Sequence, residues 1–210
     1  IETAIEARPP VVARHPHLLY IVLGATHPEV KKYEGESYRE GLQCRVRELG
    51  IEQHVRFVDQ FVELDTLLTY IAASDLYLTP YLHREQAVSG TLSYALAAGK
   101  AIISTPYWYA EELLADGRGV LVPFSDPAAL SEAMLSLMGD AERLEAVRRA
   151  AYAFGRKMLW PEVGKAYAAL FDRVAKGPRT AHRGPLAGGA AGRAARGGDG
   201  SFFRLPEVKL

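Results

Sequence analysis

Cysteine is nearly missing from this chain: one thiol, Cys44, stands among 210 residues, so no intramolecular disulfide can form and no second thiolate is at hand to share a metal. That excludes a disulfide-stapled scaffold and fits a reducing compartment, the cytoplasm. An excess of charge of either sign is missing too. Lys plus Arg number 25 and Asp plus Glu number 25, a formal net charge of zero that leaves no global field to draw nucleic acid or an anionic membrane. No apolar run approaches the roughly 20 residues that span a bilayer, and the first residues lack the basic, apolar and small-residue regions of a signal peptide. The histidines His15, His17, His27, His54 and His182 fall at no metal-ligand spacing, and no internal repeat is present.

What is present is enough for one α/β domain with a full core: 49% of the residues are hydrophobic and 24% charged. Ile1 to Ala7 reads as a helix in progress, with Ile1, Ile5 and Val12 on one apolar stripe, so further chain is expected before it. Leu18 to Leu23 is a continuous apolar run closed by Gly24, the signature of a parallel strand buried on both faces. A polar turn through Thr26-His27-Pro28 then leads to a helix over Ser37 to Leu49, with Tyr38, Leu42, Val46 and Leu49 on one face and Gly50 as its stop. The alternation continues with a strand at His54 to Val58, a helix at Glu63 to Ala73 and a strand at Leu76 to Thr79. Later, Val120 to Val122 forms a strand and Asp126-Pro127 caps a helix running to about Met138, ahead of helices at Ala141 to Phe154 and Trp160 to Val174. Residues 1–176 therefore read as one domain. Gly177 to Gly200, rich in Gly, Ala, Arg and Pro, reads as a low-complexity linker, and Ser201 to Leu210 as the start of a further segment.

The stretch from Ser74 to Glu112 carries the functional argument. A strand ends at Thr79-Pro80, an irregular loop runs from Tyr81 to Ser89, and Gly90-Thr91 opens a small-residue helix that ends at Gly99-Lys100. A second strand, Ala101 to Ser104, breaks at Thr105-Pro106 before a helix that opens near Ala110-Glu111-Glu112. Repeated strand, loop and helix is the unit of a doubly wound parallel sheet, and such sheets bind ligands beyond the carboxyl ends of their strands. Function is expected in the loops Tyr81 to Thr91 and Thr105 to Glu112. The backbone amides of Gly90, Thr91 and Leu92 stand at a helix N-terminus, where an anionic ligand finds hydrogen-bond donors, with the Ser89 and Thr91 hydroxyls as helpers or as plain caps. Gly24 either lets the first strand's loop approach a ligand or makes a tight turn.

The order of Leu18 to Gly24, Leu49-Gly50, Val55-Arg56-Phe57, Ala73 to Pro80, Ala95 to Ile103, Glu111-Glu112, Gly119 to Val122 and Asp126-Pro127 resembles the C-terminal half of a GT-B glycosyltransferase of family 4. The resemblance covers about Ile1 to Val174. It implies a Rossmann-like domain that binds a nucleoside-diphosphate sugar, transfers the hexose with retention, needs no metal or other cofactor, and works with a separate N-terminal domain that holds the acceptor. It also implies two site glutamates. Glu85 stands near the first position, as the catalytic candidate beside the transferred sugar, with Gln86 competing for the place and His83 near the sugar. Tyr94 stands at the second, beside the ribose, and no acidic residue lies between Gln86 and Lys100. The family's phosphate-binding Arg and Lys are expected upstream of Ile1, which leaves Arg84 and Lys100 as the nearest cations. Tyr107-Trp108-Tyr109 replaces a glycine-rich turn of the family and either stacks on a sugar or covers the sheet edge. Two other readings stay open: a nucleotide-sugar epimerase on the same scaffold, which needs more acid/base groups than Glu85 and His83, and a non-catalytic module.

Overall fold

The computed structural model describes residues 1–176, so the expected linker and terminal segment lie outside the described residues. The chain opens with α1 (Glu2–Glu6) and α2 (Arg8–Arg14), then β1 (Tyr20–Leu23), α3 (Pro28–Glu34), α4 (Ser37–Glu48) and β2 (Val55–Val58). It continues through α5 (Leu64–Ala73), β3 (Leu76–Thr79), α6 (Gly90–Ala97), β4 (Ala101–Ser104) and α7 (Trp108–Leu113). Next come β5 (Val120–Leu121), α8 (Pro127–Met138), α9 (Ala141–Gly155) and α10 (Trp160–Lys176). All strand pairings among the described residues are parallel. They form two ladders, β2 with β1 and then β3-β4-β5 in that order.

Helices cover both faces of the larger ladder, and its central strand is buried throughout. Ala101 and Ile103 of β4 point into a cluster with Ala4, Ala7 and Val11 of α1 and α2 and with Leu130, Met134 and Leu137 of α8. Ile102 points the other way, among Ile71 of α5, Leu92, Ala95 and Leu96 of α6, and Tyr107 and Ala110. This period of two gives the doubly wound arrangement its two layers. A third cluster joins Ile5 to Leu42 and Val46 of α4 and to Val55 of β2. Glycine lets α9 lie directly on α6: a Cβ on Gly155 would stand 2.6 Å from Ala97 Cα and 2.8 Å from the Leu96 carbonyl oxygen.

Four details depart from the sequence reading. The N-terminal helix breaks at Ala7 and restarts, because Pro9 and Pro10 have no N–H to give and sit at the first turn of α2, where none is needed. Ile1 therefore leaves the expected stripe, and Ala4, Ile5, Ala7 and Val11 make the buried face instead. The run at Leu18 to Leu23 is not buried on both faces: Leu19 is 55% exposed and Ile21 40%, because no helix among the described residues covers that side of β1. The polar turn at Thr26-His27-Pro28 is the start of α3, with His27 Nδ1 accepting from the Glu29 amide at 3.3 Å and Pro28 at its first position. The helix expected near Ala110 begins earlier, at Trp108. At the far end α10 packs on the short 3₁₀ turn Arg156–Met158 and leaves Trp160, Tyr167, Phe171 and Val174 exposed.

Candidate functional site

Two loops stand at the carboxyl ends of β1 and β3, and they are held in different ways. The first begins at Gly24, whose φ of +139° suits glycine; nothing lies within 4 Å of where its Cβ would be. Gly24 N–H donates to the Val58 carbonyl at 3.1 Å, and its own carbonyl accepts from Arg39 Nη2 at 2.9 Å. Arg39 also reaches Asp59 Oδ1 at 2.7 Å and Glu36 Oε2 at 3.4 Å, so one guanidinium joins the loops after β1 and β2. Thr26 Oγ1 donates to Glu36 at 2.7 Å, and Lys31 Nζ pairs with Glu36 at 2.8 Å. These two donors, with Arg39 behind them, hold the Glu36 carboxyl down at about 2. Beside this network is a cavity of about 250 Å³ lined by Ile1, Val22, Leu23, Gly24, Tyr38 and Phe57 among others.

The second loop, Tyr81 to Ser89, is fastened by backbone. Trp108 N–H donates to the Arg84 carbonyl at 3.0 Å and Tyr109 N–H to the Gln86 carbonyl at 3.4 Å, so the opening turn of α7 lies along the loop. Thr105 Oγ1 donates to the Tyr81 carbonyl at 2.6 Å, Gln86 Nε2 to the Val88 carbonyl at 2.7 Å, and Arg84 Nη2 pairs with Glu111 at 3.3 Å. Tyr107 is wholly buried. Its ring meets Tyr81 edge to face with centroids 5.1 Å apart, its hydroxyl is 3.4 Å from Thr79 Oγ1, and burial pushes its ionisation up. Of the three aromatic residues expected at a sugar or a sheet edge, Tyr107 is core, Tyr109 bonds Ser93 Oγ at 2.8 Å, and Trp108 is exposed.

At the mouth of α6, Ser89 is the cap: its Oγ accepts from the Leu92 amide at 3.3 Å. The Leu92 amide, expected as a phosphate donor, is thus already paired, and its side chain is fully buried. Gly90 and Thr91 keep the free amides of the first turn, aimed past the end of the helix. Behind them the half-buried Tyr77 hydroxyl faces Thr91, and burial raises its ionisation to about 12. Glu85 and His83 are exposed on the loop and hold no ion pair or side-chain hydrogen bond among the described residues. Tyr94 lies one turn further along α6 and is 38% exposed. The structure therefore gathers His83, Glu85, Gln86, Ser89, Gly90 and Thr91 on one loop and helix start, and keeps Gly24 on the other loop.

Lys100 is placed away from the crevice. Its Nζ donates to the carbonyls of Ala72 and Ser74 at 2.6 and 3.0 Å, at the amino ends of the strands, and partial burial lowers its pKa. The network around Arg39 went unnoticed in the sequence. Its only signal was Arg39 beside the helix stripe Tyr38 and Leu42, and a partner such as Asp59, in another loop, cannot be paired by spacing.

Comparison with known proteins decides the family. The pattern described as Glycosyl transferases group 1 matches residues 1–154. The chain belongs to that family. It is 29% identical over 135 residues to a phosphatidyl-myo-inositol mannosyltransferase of Mycobacterium leprae, a match covering 63% of this chain and 35% of that protein. In three dimensions it resembles the C-terminal domain of a glycosyl transferase group 1 family protein from Francisella tularensis: TM-score 0.62, 17% identity, 72% of this chain and 75% of that one. It also resembles Anabaena HepE in complex with UDP and glucose, with TM-score 0.67 and 18% identity over 83% of this chain and 44% of that one. These likenesses establish the Rossmann-like domain of a GT-B fold. The chain spans 29% and 35% of the length of the two curated relatives it matches. No described helix is long and apolar enough to cross a membrane.

Proposed function

We propose that this domain of the glycosyl transferases group 1 family binds a nucleoside-diphosphate sugar between the Gly24 loop and the Tyr81 to Thr91 loop, for transfer of the hexose with retention. The acceptor, a saccharide or similar molecule, is held by a separate N-terminal domain of the full-length cytoplasmic protein. The free amides of Gly90 and Thr91 at the start of α6 carry this reading. When the bond from the anomeric carbon to the diphosphate breaks, the diphosphate leaves with the electron pair, and fixed N–H dipoles at a helix N-terminus stabilise that charge as it develops. Glu85, unencumbered on the loop, faces the sugar in this reading, His83 and Gln86 flank it, and Tyr94 contacts the ribose. In this reading no metal is needed, since the N–H dipoles at the start of α6 serve the diphosphate oxygens.

Calorimetric titration of the full-length protein with UDP, GDP and ADP and their hexose conjugates tests it. One diphosphate is expected to bind saturably. Gly90→Val should weaken that binding about tenfold or more by blocking backbone approach, without disturbing the fold, because nothing lies within 4 Å of a Cβ at Gly90. Glu85→Ala should keep binding and lose turnover. Absence of binding at millimolar concentrations of all three would overturn the proposal.

A further inference from the structure

The opening turn of α7 holds the Tyr81 to Ser89 loop through two backbone amides, and their side chains behave differently. Trp108 N–H donates to the Arg84 carbonyl and its indole is exposed, whereas Tyr109 N–H donates to the Gln86 carbonyl and its side chain makes a second bond. The Tyr109 hydroxyl lies 2.8 Å from Ser93 Oγ of α6. Tyr109 therefore holds the loop with its backbone and the following helix with its side chain.

The protons of this contact can be assigned. Ser93 Oγ also lies 3.1 Å from the Ser89 carbonyl oxygen, which can only accept, so the Ser93 hydroxyl donates to Ser89 and the Tyr109 hydroxyl donates to Ser93. The result is a directed chain from Tyr109 through Ser93 to Ser89, in which each bond polarises the next. It ends on the residue that caps α6, whose Oγ accepts from the Leu92 amide. Gln86 to Ser89 is thus gripped at both ends by one residue. Glu85 and Gln86 stand at the first end, and the free amides of Gly90 and Thr91 follow the second. The Tyr109 ring packs from behind against the buried cluster of Ile71, Leu92 and Ile102, a contact that needs the ring and not the oxygen.

We infer that Tyr109 is a positioning residue for the transfer: its bonds to Gln86 and Ser93 set the distance between the loop that faces the sugar and the helix mouth that faces the diphosphate. The inference rests on the donor reading given above. A donor that spans both elements needs them at one spacing, and holding them there before binding removes the cost of ordering the loop. A diphosphate without its sugar needs the α6 amides alone. The Tyr109 hydroxyl, spent on Ser93, acts through the loop rather than on the ligand.

Tyr109→Phe removes the oxygen and keeps the ring. In the full-length protein the Trp108 amide should then exchange about tenfold faster, while the Ile102 and Ile103 amides of β4 keep their rates. In calorimetry with UDP, GDP and ADP and their hexose conjugates, the diphosphate that binds the wild type should bind the variant within about twofold, and its hexose conjugate should weaken roughly threefold to tenfold, the net worth of one hydrogen bond. Ser93→Ala should reproduce both effects, and the double variant should add nothing further. Unchanged exchange at Trp108 would overturn the inference, as would additive effects of the two substitutions. So would an unchanged conjugate affinity, or equal weakening of diphosphate and conjugate, which is the result of a merely structural loss. Should the wild type bind none of the diphosphates, the transferase proposal fails by itself. Exchange and its non-additivity are read without ligand, so they still decide whether Tyr109 joins the loop to α6.

Discussion

The two ladders of this domain are stabilised differently, although both are parallel and lie in the same layers. The β3-β4-β5 ladder is largely apolar on both faces and is covered by close-packed helices, whereas β1-β2 leaves Leu19 and Ile21 exposed and is fastened at its end by the charges of Arg39, Glu36, Asp59 and Lys31. Dispersion and burial hold the first, with little sensitivity to pH or salt; the second depends on both. The difference continues into the crevice, where the Tyr81 loop is held by the buried Tyr107 ring and backbone bonds and the Gly24 loop by the Arg39 guanidinium.

Substitution at the closest contact of the compact half should give the largest effect. Gly155→Val places a branched side chain against the backbone of Ala97 and Leu96, which cannot yield as a flexible side chain would. Overpacking of this kind costs about 1–3 kcal/mol, and backbone collision puts this case at the upper end. Urea titration should show a large fall in the midpoint, and an unchanged midpoint would mean that α9 does not lie directly on α6.

Arg8, at the seam of the two halves, should move stability the other way. It is 1% exposed, stacked 4.1 Å over the Tyr20 ring with Nη1 donating to Met134 Sδ, and among the described residues it pairs with no carboxylate; burial pulls it down to about 10. A desolvated cation without a counter-ion is costly, and an apolar side chain of similar length should recover about 1–3 kcal/mol. Arg8→Met is therefore expected to raise the urea midpoint. If it lowers the midpoint instead, the contacts of Arg8 to Tyr20 and Met134 outweigh its desolvation.

The ionic half is the one that acid should loosen. The Glu36 carboxyl is depressed from 4.5 to about 2, so its contribution is fully present above 4.5 and is lost as pH falls through about 2. Stability measured across that window should decline, and Glu36→Gln should flatten the decline without altering the packing of β3-β4-β5. Lys31→Met should remove part of the same slope, because Lys31 is the foremost of the partners that depress Glu36. An unchanged slope in both variants would transfer the acid sensitivity to other carboxylates.

The compact half was also the more legible one in the sequence. Leu76 to Thr79 and Ala101 to Ser104 were read to the residue, since continuous apolar runs between turn signals leave little choice. Asp126-Pro127 announced α8 through its cap, and the Asp126 carboxylate indeed accepts from the Ala129 amide at 2.9 Å. The same logic failed at Leu18 to Leu23, where an equally apolar run has an open face, because a run of this kind does not reveal which neighbours are there to cover it. At α7, aromatic residues without a side-chain cap concealed a helix start that is settled by contact with the Tyr81 loop. The residues of the candidate site were legible as types on a loop. Their fastening by Thr105, Trp108 and Tyr109 was not, since those bonds, one from a hydroxyl and two from backbone amides, end on loop carbonyls some twenty residues distant and leave no trace in composition.

The smallest expected effect sharpens the reading of the α6 mouth. Ser89→Ala removes the oxygen that accepts from the Leu92 amide, a loss of about 1 kcal/mol for an N-cap. It also leaves three amides, of Gly90, Thr91 and Leu92, without a partner at the helix end. If Ser89 serves as a cap, an anionic donor should bind the variant at least as well as the wild type, because the freed amide is available to a phosphate oxygen and the helix dipole is unchanged. If the hydroxyl itself touches the diphosphate, affinity falls while the stability loss stays the same. Calorimetry and urea titration on the same variant separate these outcomes, and Ser89→Gly, which costs a cap only a few tenths of a kcal/mol, supplies the control in which the hydroxyl is gone and the helix is barely weakened.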